Sequence, residues 1–80
     1  MRGGLRVLTG EDVMAILASF GFSVSGGKKH FKLRRRAPNG DETLVVPNHS
    51  PIAKDTLRAI FVQASRYIPQ AELRPHFYNK

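Results

Sequence analysis

The sequence contains no cysteine and few acidic residues, six against thirteen Lys and Arg. Without cysteine neither a disulfide nor a thiolate metal cluster can form, which favours a small cytosolic protein over a secreted one. No apolar run approaches the roughly 20 residues of a membrane-spanning helix. The N-terminal stretch MRGGLRV also lacks the apolar block of a signal peptide. We therefore expect a cytoplasmic protein that is neither exported nor inserted in a membrane.

The shortage of acidic residues leaves a formal net charge of +7 at pH 7. Such a charge favours polyanionic partners, because cations that contact phosphates release condensed counterions. Nucleic acid is the first candidate partner and an anionic membrane surface the second. The alternative is that the charge only keeps a small protein in solution.

The length of 80 residues leaves room for one small two-layer domain. Hydrophobic residues make up 41% of the chain, which indicates a folded rather than a disordered protein. We expect a single domain over residues 1–80, with its core at about residues 8–68 and a short C-terminal tail at residues 69–80.

A first helix is predicted from about Gly10 to Phe20. Thr9 can accept a hydrogen bond from a free backbone N–H, while Glu11 and Asp12 favour the positive end of the helix dipole. Apolar residues then recur at helical spacing and form one core-facing stripe: Val13, Met14, Ile16, Leu17 and Phe20. Gly21 follows, where a left-handed residue commonly ends a helix.

Three short strands are predicted next from alternating apolar and polar residues. The first begins at Phe22 and ends at Gly26-Gly27, the second runs from His30 to Arg36, and the third runs from Thr43 to Val46. The turn sequence APNGD joins the second strand to the third, because Pro fixes φ and Asn-Gly tolerates positive φ.

A second helix is predicted to begin between Pro51 and Lys54, with Ser50-Pro51 as cap and first-turn proline, and to run to about Tyr67. Pro69 breaks it, and residues 70–77 form one or two further helical turns. The fold class is therefore α+β: a two-layer α-β-β-β-α sandwich with a three-stranded antiparallel sheet. Both helices are expected to cover its apolar face.

The alternation in the second strand decides where its charges point. If Phe31 and Leu33 face the helices, the opposite side carries the polar residues of the strand: His30, Lys32, Arg34 and Arg36. Arg35 falls on the helix side by alternation, although a long side chain at a strand end can turn back to solvent.

His30 is the candidate catalytic residue. Cleavage of RNA by its own 2′-hydroxyl needs a base for the hydroxyl proton and positive charge on the phosphoryl oxygens. An imidazole among cations supplies both parts, and the candidate phosphate-binding residues are Lys28, Lys29, Lys32, Arg34 and, more weakly, Arg36. DNA lacks the 2′-hydroxyl and would not be cleaved by this mechanism. The alternative is an ordinary strand histidine, or a phosphate contact without catalysis.

The other candidate groups carry weaker signals. His49 could act as a second proton carrier, or it could be a loop residue without a catalytic role. His76 is expected to have a surface role. Neither HxxxH nor CxxC spacing is present, so no metal site and no cofactor are predicted. The phenylalanines on the apolar stripes are assigned to the core. Tyr67, Phe77 and Tyr78 either cover its edge or contact a partner.

In combination, the stretches SFGFSV, KKHFKLRRR, VVPNHS and KDTLRAIFVQA resemble the HicA-type toxins, the YcfA family of small mRNA interferases. The resemblance covers about Leu8 to Ile68. It implies a double-stranded-RNA-binding-like fold, metal-independent endonucleolytic cleavage of mRNA, and neutralisation by a HicB-type antitoxin. The family's catalytic histidine falls on His30. Lys28-Lys29 stands where the family usually has Gly-Ser, so that serine's hydroxyl is missing and two cations are added.

Two other function classes compete with a ribonuclease toxin. The chain could be an RNA-binding module of the same fold without catalysis. It could also be an interaction protein, such as a ribosome-associated adaptor, that uses its basic face only as an anchor. Loss of RNA cleavage in a His30→Ala variant separates the first from the toxin, and absence of any RNA affinity would leave only the second.

Overall fold

The computed structural model describes residues 4–79. Met1 to Gly3, which open the segment tested for a signal peptide, and Lys80, the last residue of the predicted domain, lie outside the described residues. The elements in chain order are helix α1 Gly10–Ser19, strands β1 Ser23–Gly26, β2 His30–Ala37 and β3 Gly40–Pro47, and helices α2 Lys54–Ala64 and α3 Gln70–Phe77. Within residues 4–79 no helix is both long and apolar enough to cross a membrane.

The start of α1 is fixed by a reciprocal cap between Thr9 and Asp12. The Thr9 hydroxyl accepts a hydrogen bond from the Asp12 N–H, and the Asp12 carboxylate accepts one from the Thr9 N–H, each at 3.0 Å. The hydrogen bonds from Thr9 hold the pKa of the Asp12 carboxyl below its ordinary value. The helix ends at Ser19, one residue before the predicted end.

The three strands form one antiparallel sheet in the order β1-β2-β3. Leu33 of β2 lies opposite Val24 of β1 and Leu44 of β3, so these three side chains share one face. Pro38 and Asn39 form the tight turn between β2 and β3, as the turn sequence predicted. The predicted α-β-β-β-α order and three-stranded antiparallel sheet are confirmed, with α3 following as a third helix.

The helices cover one face of the sheet only, where α1 contacts β2 and β3 and α2 contacts β3. The buried side chains of these elements form one core: Val13, Leu17, Phe31, Leu33, Leu44, Val46, Leu57, Ile60, Phe61 and Ala64. Val24 shares this face but stays 38% exposed, because β1 is an edge strand with a neighbouring strand on one side only. Within residues 4–79 no helix covers the sheet's other face.

The segment before α2 differs from the prediction. The helix begins at Lys54, the last residue of the predicted range, and ends at Ala64, three residues before the predicted end. Ala53 is its N-cap and no side chain caps it, so the expected cap at Ser50 is wrong. Ile52 explains the difference, since it is buried and its N–H donates to the Leu8 carbonyl at 2.9 Å. Residues before the helix are thus held against the segment that leads into α1 and cannot take helical hydrogen bonds.

Helix α3 confirms the predicted further turns and adds to the core. Leu73 and Phe77 are fully buried, although Pro75 lies inside the helix. The chain on either side closes over them, because the Arg6 N–H donates to the Phe77 carbonyl at 2.8 Å and Leu5 pairs with Tyr78. Phe77 is therefore a core residue, while Tyr67 and Tyr78 pack at the core's edge.

Candidate nucleic-acid interface

Strand β2 places its polar residues on the uncovered side of the sheet. The exposed residues of that side are those predicted from sequence: His30, Lys32, Arg34 and Arg36. Phe31 and Leu33 between them are buried, at 6% and 1% exposure, so the predicted strand phase is confirmed. We call the uncovered side, which carries Lys32, Arg34 and Arg36, the open face. Its three cations are two residues apart, roughly 6.6 Å along the strand.

Short side chains flank the cations across the sheet. Lys32 lies between Ser25 of β1 and the half-exposed Val45 of β3, and Arg34 lies between Ser23 of β1 and Thr43 of β3. These residues line a shallow depression of about 440 Å³ on the open face. Because the flanking side chains are short, the cationic groups are the longest features of this surface and a polyanion can reach them directly.

Asp41 is the acidic residue that approaches this surface. Its carboxylate lies 3.9 Å from the Arg34 guanidinium, and the two side chains are 44% and 71% exposed. An ion pair this long and this exposed contributes little free energy. Arg34 therefore remains available to a phosphate group.

His30 lies at one end of this row of cations, as the first residue of β2 and opposite Pro47. The chain reaches it through the lysine loop, which we define as Gly27 to Lys29. Lys28 and Lys29 are exposed, and the Gly27 N–H donates to the His30 carbonyl at 2.9 Å. Gly27 has a φ of +138°, which L side chains rarely adopt, so glycine makes this tight connection possible. The loop brings two ammonium groups to the end of the strand at which the imidazole lies.

Arg35 lies on the other side of the sheet and does not belong to this interface. Its guanidinium donates to the Glu42 carboxylate at 2.7 Å and to the carbonyls of Phe20 and Tyr67 at 2.8 Å each. It also stacks over the Phe22 ring. The suggestion that this side chain turns back to solvent is wrong, because its donors are taken by the carbonyl of Phe20 at the C-cap of α1 and by that of Tyr67 in the turn after α2.

The two remaining histidines occupy different surroundings. His49 is exposed beyond the end of β3, where its carbonyl accepts a hydrogen bond from the Gly10 N–H at 2.7 Å. Its role as a second proton carrier stays a prediction. His76 is partly buried, with its ring edge-on to Phe20 at 5.5 Å, so it contributes to packing. In the described part of the chain no three His, Asp or Glu side chains cluster as a metal site requires.

Sequence reasoning missed Asn48, which connects the end of β3 to the lysine loop. Its side-chain amide donates to the Gly27 carbonyl at 2.7 Å and to the Lys28 carbonyl at 3.3 Å. Its backbone N–H donates to the Lys29 carbonyl at 2.8 Å. These contacts join residues about 20 positions apart in the chain, so the sequence around Asn48 does not predict them.

Comparison with known protein families gives a match that covers the sheet and the first two helices. The family model described as the HicA toxin of bacterial toxin-antitoxin systems matches residues 10–65, more than half of the chain. The chain belongs to the HicA toxin family. It is thus the toxin component of a toxin-antitoxin system, and membership implies an antitoxin partner. No curated protein and no solved structure matches this HicA chain. The matched residues include β1, the lysine loop, all of the open face and α2.

Proposed function

We propose that this HicA toxin is an mRNA interferase: an endoribonuclease that cleaves mRNA without a metal ion and uses His30 as general acid or base. One observation carries the proposal, namely that an exposed imidazole stands at the end of a row of cations on the uncovered side of the sheet. Among the common side chains, histidine exchanges a proton most readily near neutral pH. A strongly cationic surface also disfavours a divalent ion and favours a phosphodiester.

The proposed reaction is transfer of the phosphoryl group to the neighbouring 2′-hydroxyl of the RNA. His30 takes the hydroxyl proton as the 2′-oxygen bonds to phosphorus, and the bond from phosphorus to the 5′-oxygen breaks. The leaving 5′-oxygen takes a proton from water or from Lys29. The products are a 2′,3′-cyclic phosphate and a 5′-hydroxyl end.

The cations lie at different distances from His30 along β2, so they would contact different phosphates of the RNA. Arg36 is six residues from His30, roughly 20 Å along the strand, so it cannot touch the phosphate that reacts at His30. Lys28, Lys29 and Lys32 are near enough in the chain to stabilise charge on that phosphate. Arg34 and Arg36 hold phosphates further along the same RNA strand and set its direction across the open face.

The proposed protein partner is a HicB-type antitoxin with acidic groups that complement the open face. A toxin that cleaves mRNA must be masked until it is released, and covering the cations would block access of RNA to His30. We place this reaction in the cytoplasm, where mRNA is found. Growth arrest on expression of the toxin, relieved by co-expression of a small acidic protein encoded beside it, would support the pairing.

Cleavage by purified wild-type and His30→Ala proteins tests the proposal. We expect wild type to cut a single-stranded transcript in the presence of EDTA, to leave DNA of the same sequence intact, and to produce cyclic phosphate ends. His30→Ala should lose cleavage and keep its RNA affinity, because the imidazole carries the proton transfer while the cations carry binding. His49→Ala is the parallel variant, and an equal loss there would assign the second proton transfer to His49.

A non-catalytic RNA-binding module is the second candidate, and the Lys28-Lys29 pair favours it. This pair replaces the usual Gly-Ser of the family, which removes a hydroxyl beside the histidine and adds two phosphate-binding groups. If wild type binds RNA but leaves it intact at protein excess, the protein is such a module. Absence of RNA affinity at low salt would contradict both candidates.

A further inference from the structure

We propose that Asn48 is a positioning residue that holds the lysine loop, and through it the start of β2, in the arrangement that the RNA reaction uses. The inference rests on the proposed function. Asn48 touches neither RNA nor a reacting atom in this scheme. It acts through the backbone of the residues that carry the two ammonium groups and lead to His30.

The contacts of Asn48 reach three successive carbonyls. The side-chain amide nitrogen donates to Gly27 and Lys28, and the backbone N–H donates to Lys29. Both side-chain partners are carbonyl oxygens, so only the nitrogen end of the amide can face them. Asn48 thereby ties the whole backbone of the lysine loop to the end of β3.

The end of β3 is in turn fixed from its other side by α1. The Gly10 N–H donates to the His49 carbonyl at 2.7 Å, and a Cβ at Gly10 would lie 2.7 Å from the Asn48 Cα. Gly10 and the segment around Asn48 therefore pack in backbone contact. The lysine loop is connected through Asn48 to a capped helix, which gives an exposed glycine-containing loop a rigid support.

An exposed loop with two lysines needs such support if it is to serve catalysis. Gly27 has high backbone freedom in the unfolded chain, and neighbouring ammonium groups repel each other. Left untied, the loop would move relative to His30, and misplacement of a catalytic group by about 1 Å can cost roughly 100-fold in rate. The three hydrogen bonds of Asn48 oppose that movement.

Asn48→Asp is the sharpest test, because it keeps the shape of the side chain and replaces its donor with an acceptor that faces two carbonyls. Asn39→Asp, at the exposed turn between β2 and β3, makes the same change of net charge away from the loop. We expect Asn48→Asp to lower the cleavage rate at saturating RNA roughly 10- to 100-fold. Asn39→Asp should stay near wild type, and cleavage by Asn48→Asp at the Asn39→Asp rate overturns the inference.

RNA affinity distinguishes a role through the lysine loop from a general role in the fold. Affinity for a short fluorescent single-stranded RNA is measured in the His30→Ala background, with and without Lys28→Ala and Lys29→Ala. We expect Asn48→Ala to weaken binding several-fold when the lysines are present and to have little further effect when they are absent. An equal loss in both backgrounds would mean that Asn48 supports the fold in general and does not act through the loop.

Backbone dynamics separate failure of the inference from failure of the proposed function. Heteronuclear NOE values of the Gly27 to Lys29 amides should fall in Asn48→Ala while those of α1 stay unchanged, and unchanged loop values contradict the inference whatever RNA does. If wild type neither binds nor cleaves RNA, the proposed function fails. The positioning role then fails with it, and the NOE values show only that Asn48 restrains the backbone of the lysine loop.

Discussion

Arg34 and Arg35 are neighbours in β2, and their guanidinium groups lie on opposite sides of the sheet. The Arg34 side chain is 71% exposed, whereas Arg35 donates hydrogen bonds to the carbonyls of Phe20 and Tyr67 under the helices. Arg34, in a long and exposed ion pair with Asp41, remains available to a polyanion, whereas Arg35 joins the sheet to the segments that follow α1 and α2.

Substitution of these two arginines should give opposite results. Arg35→Ala removes the donors of two carbonyls and one carboxylate, so we expect the free energy of unfolding to fall by about 2–3 kcal/mol. Arg34→Ala should leave stability within about 0.5 kcal/mol of wild type and lower RNA affinity, with the slope of log affinity against log salt reduced by about one. Urea unfolding and RNA titrations over a range of salt measure both. Equal stability loss in the two variants would contradict the assignment.

The cap of α1 predicts a dependence of stability on pH. The pKa of Asp12 is depressed in the folded chain by its hydrogen bonds with Thr9. Its contribution is therefore fully present above the ordinary aspartate pKa of about 3.9 and is lost as pH falls through the lower folded value.

Urea unfolding of wild type and Asp12→Ala should thus differ at neutral pH and converge in strong acid. Glu11→Ala, in the same exposed first turn, should not show this convergence to the same extent. Thr9→Ala should cost about 1 kcal/mol at neutral pH, because it removes the other half of the cap. A constant difference between wild type and Asp12→Ala at every pH would rule out the proposed cause.

Gly10→Ala tests the packing of α1 against the segment after β3. Helix propensity alone would make this substitution stabilising by about 1 kcal/mol. The new Cβ would instead meet the Pro47 carbonyl oxygen and the Asn48 Cα, so we expect a loss of about 1–3 kcal/mol. Gly4→Ala, where nothing lies within 4 Å of the added Cβ, is the control. A Gly10→Ala protein more stable than wild type would show that the segment moves away freely.

Phe77→Ala tests whether α3 is part of the core. Its ring is fully buried and packs against Phe61 at 5.5 Å between ring centroids. Loss of such a ring costs about 3–5 kcal/mol, a large part of the stability of a small domain. Val62→Ala, at a position 56% exposed, should change the free energy of unfolding by less than about 0.5 kcal/mol. Similar melting temperatures for both variants would count against a docked α3.

The sequence alone predicted burial correctly where apolar residues recur at the spacing of a strand or a helix. Alternation in β2 assigned Phe31 and Leu33 to the core and His30 to the opposite side, because a strand reverses its side chains at every residue. The helical stripe of α1 and the turn at Pro38 and Asn39 were readable for the same reason: each depends on residues close together in the chain.

Contacts between distant residues could not be predicted in this way. Ser50-Pro51 has the composition of a helix cap, yet the burial of Ile52 beside Leu8 keeps Ser50 out of the cap and places the start at Lys54, the last residue of the predicted range. The carbonyl partners of Arg35 come from the segments that follow α1 and α2, and those of Asn48 come from another loop. In each case the deciding partner is 15 or more positions away, so the neighbouring sequence carries no trace of it.

Because the helices cover only one face of the sheet, the cations of the open face can be replaced without unfolding the chain. Hydrophobic side chains that drive folding and the cations of the open face occupy alternate positions of the same strand, so the two sets contribute separately to core packing and to surface charge. Charge can therefore be stripped from one side while the hydrophobic interior is left as it was. A detoxified form made this way would keep its fold, which suits it to high-yield expression and to structural work on the toxin by itself.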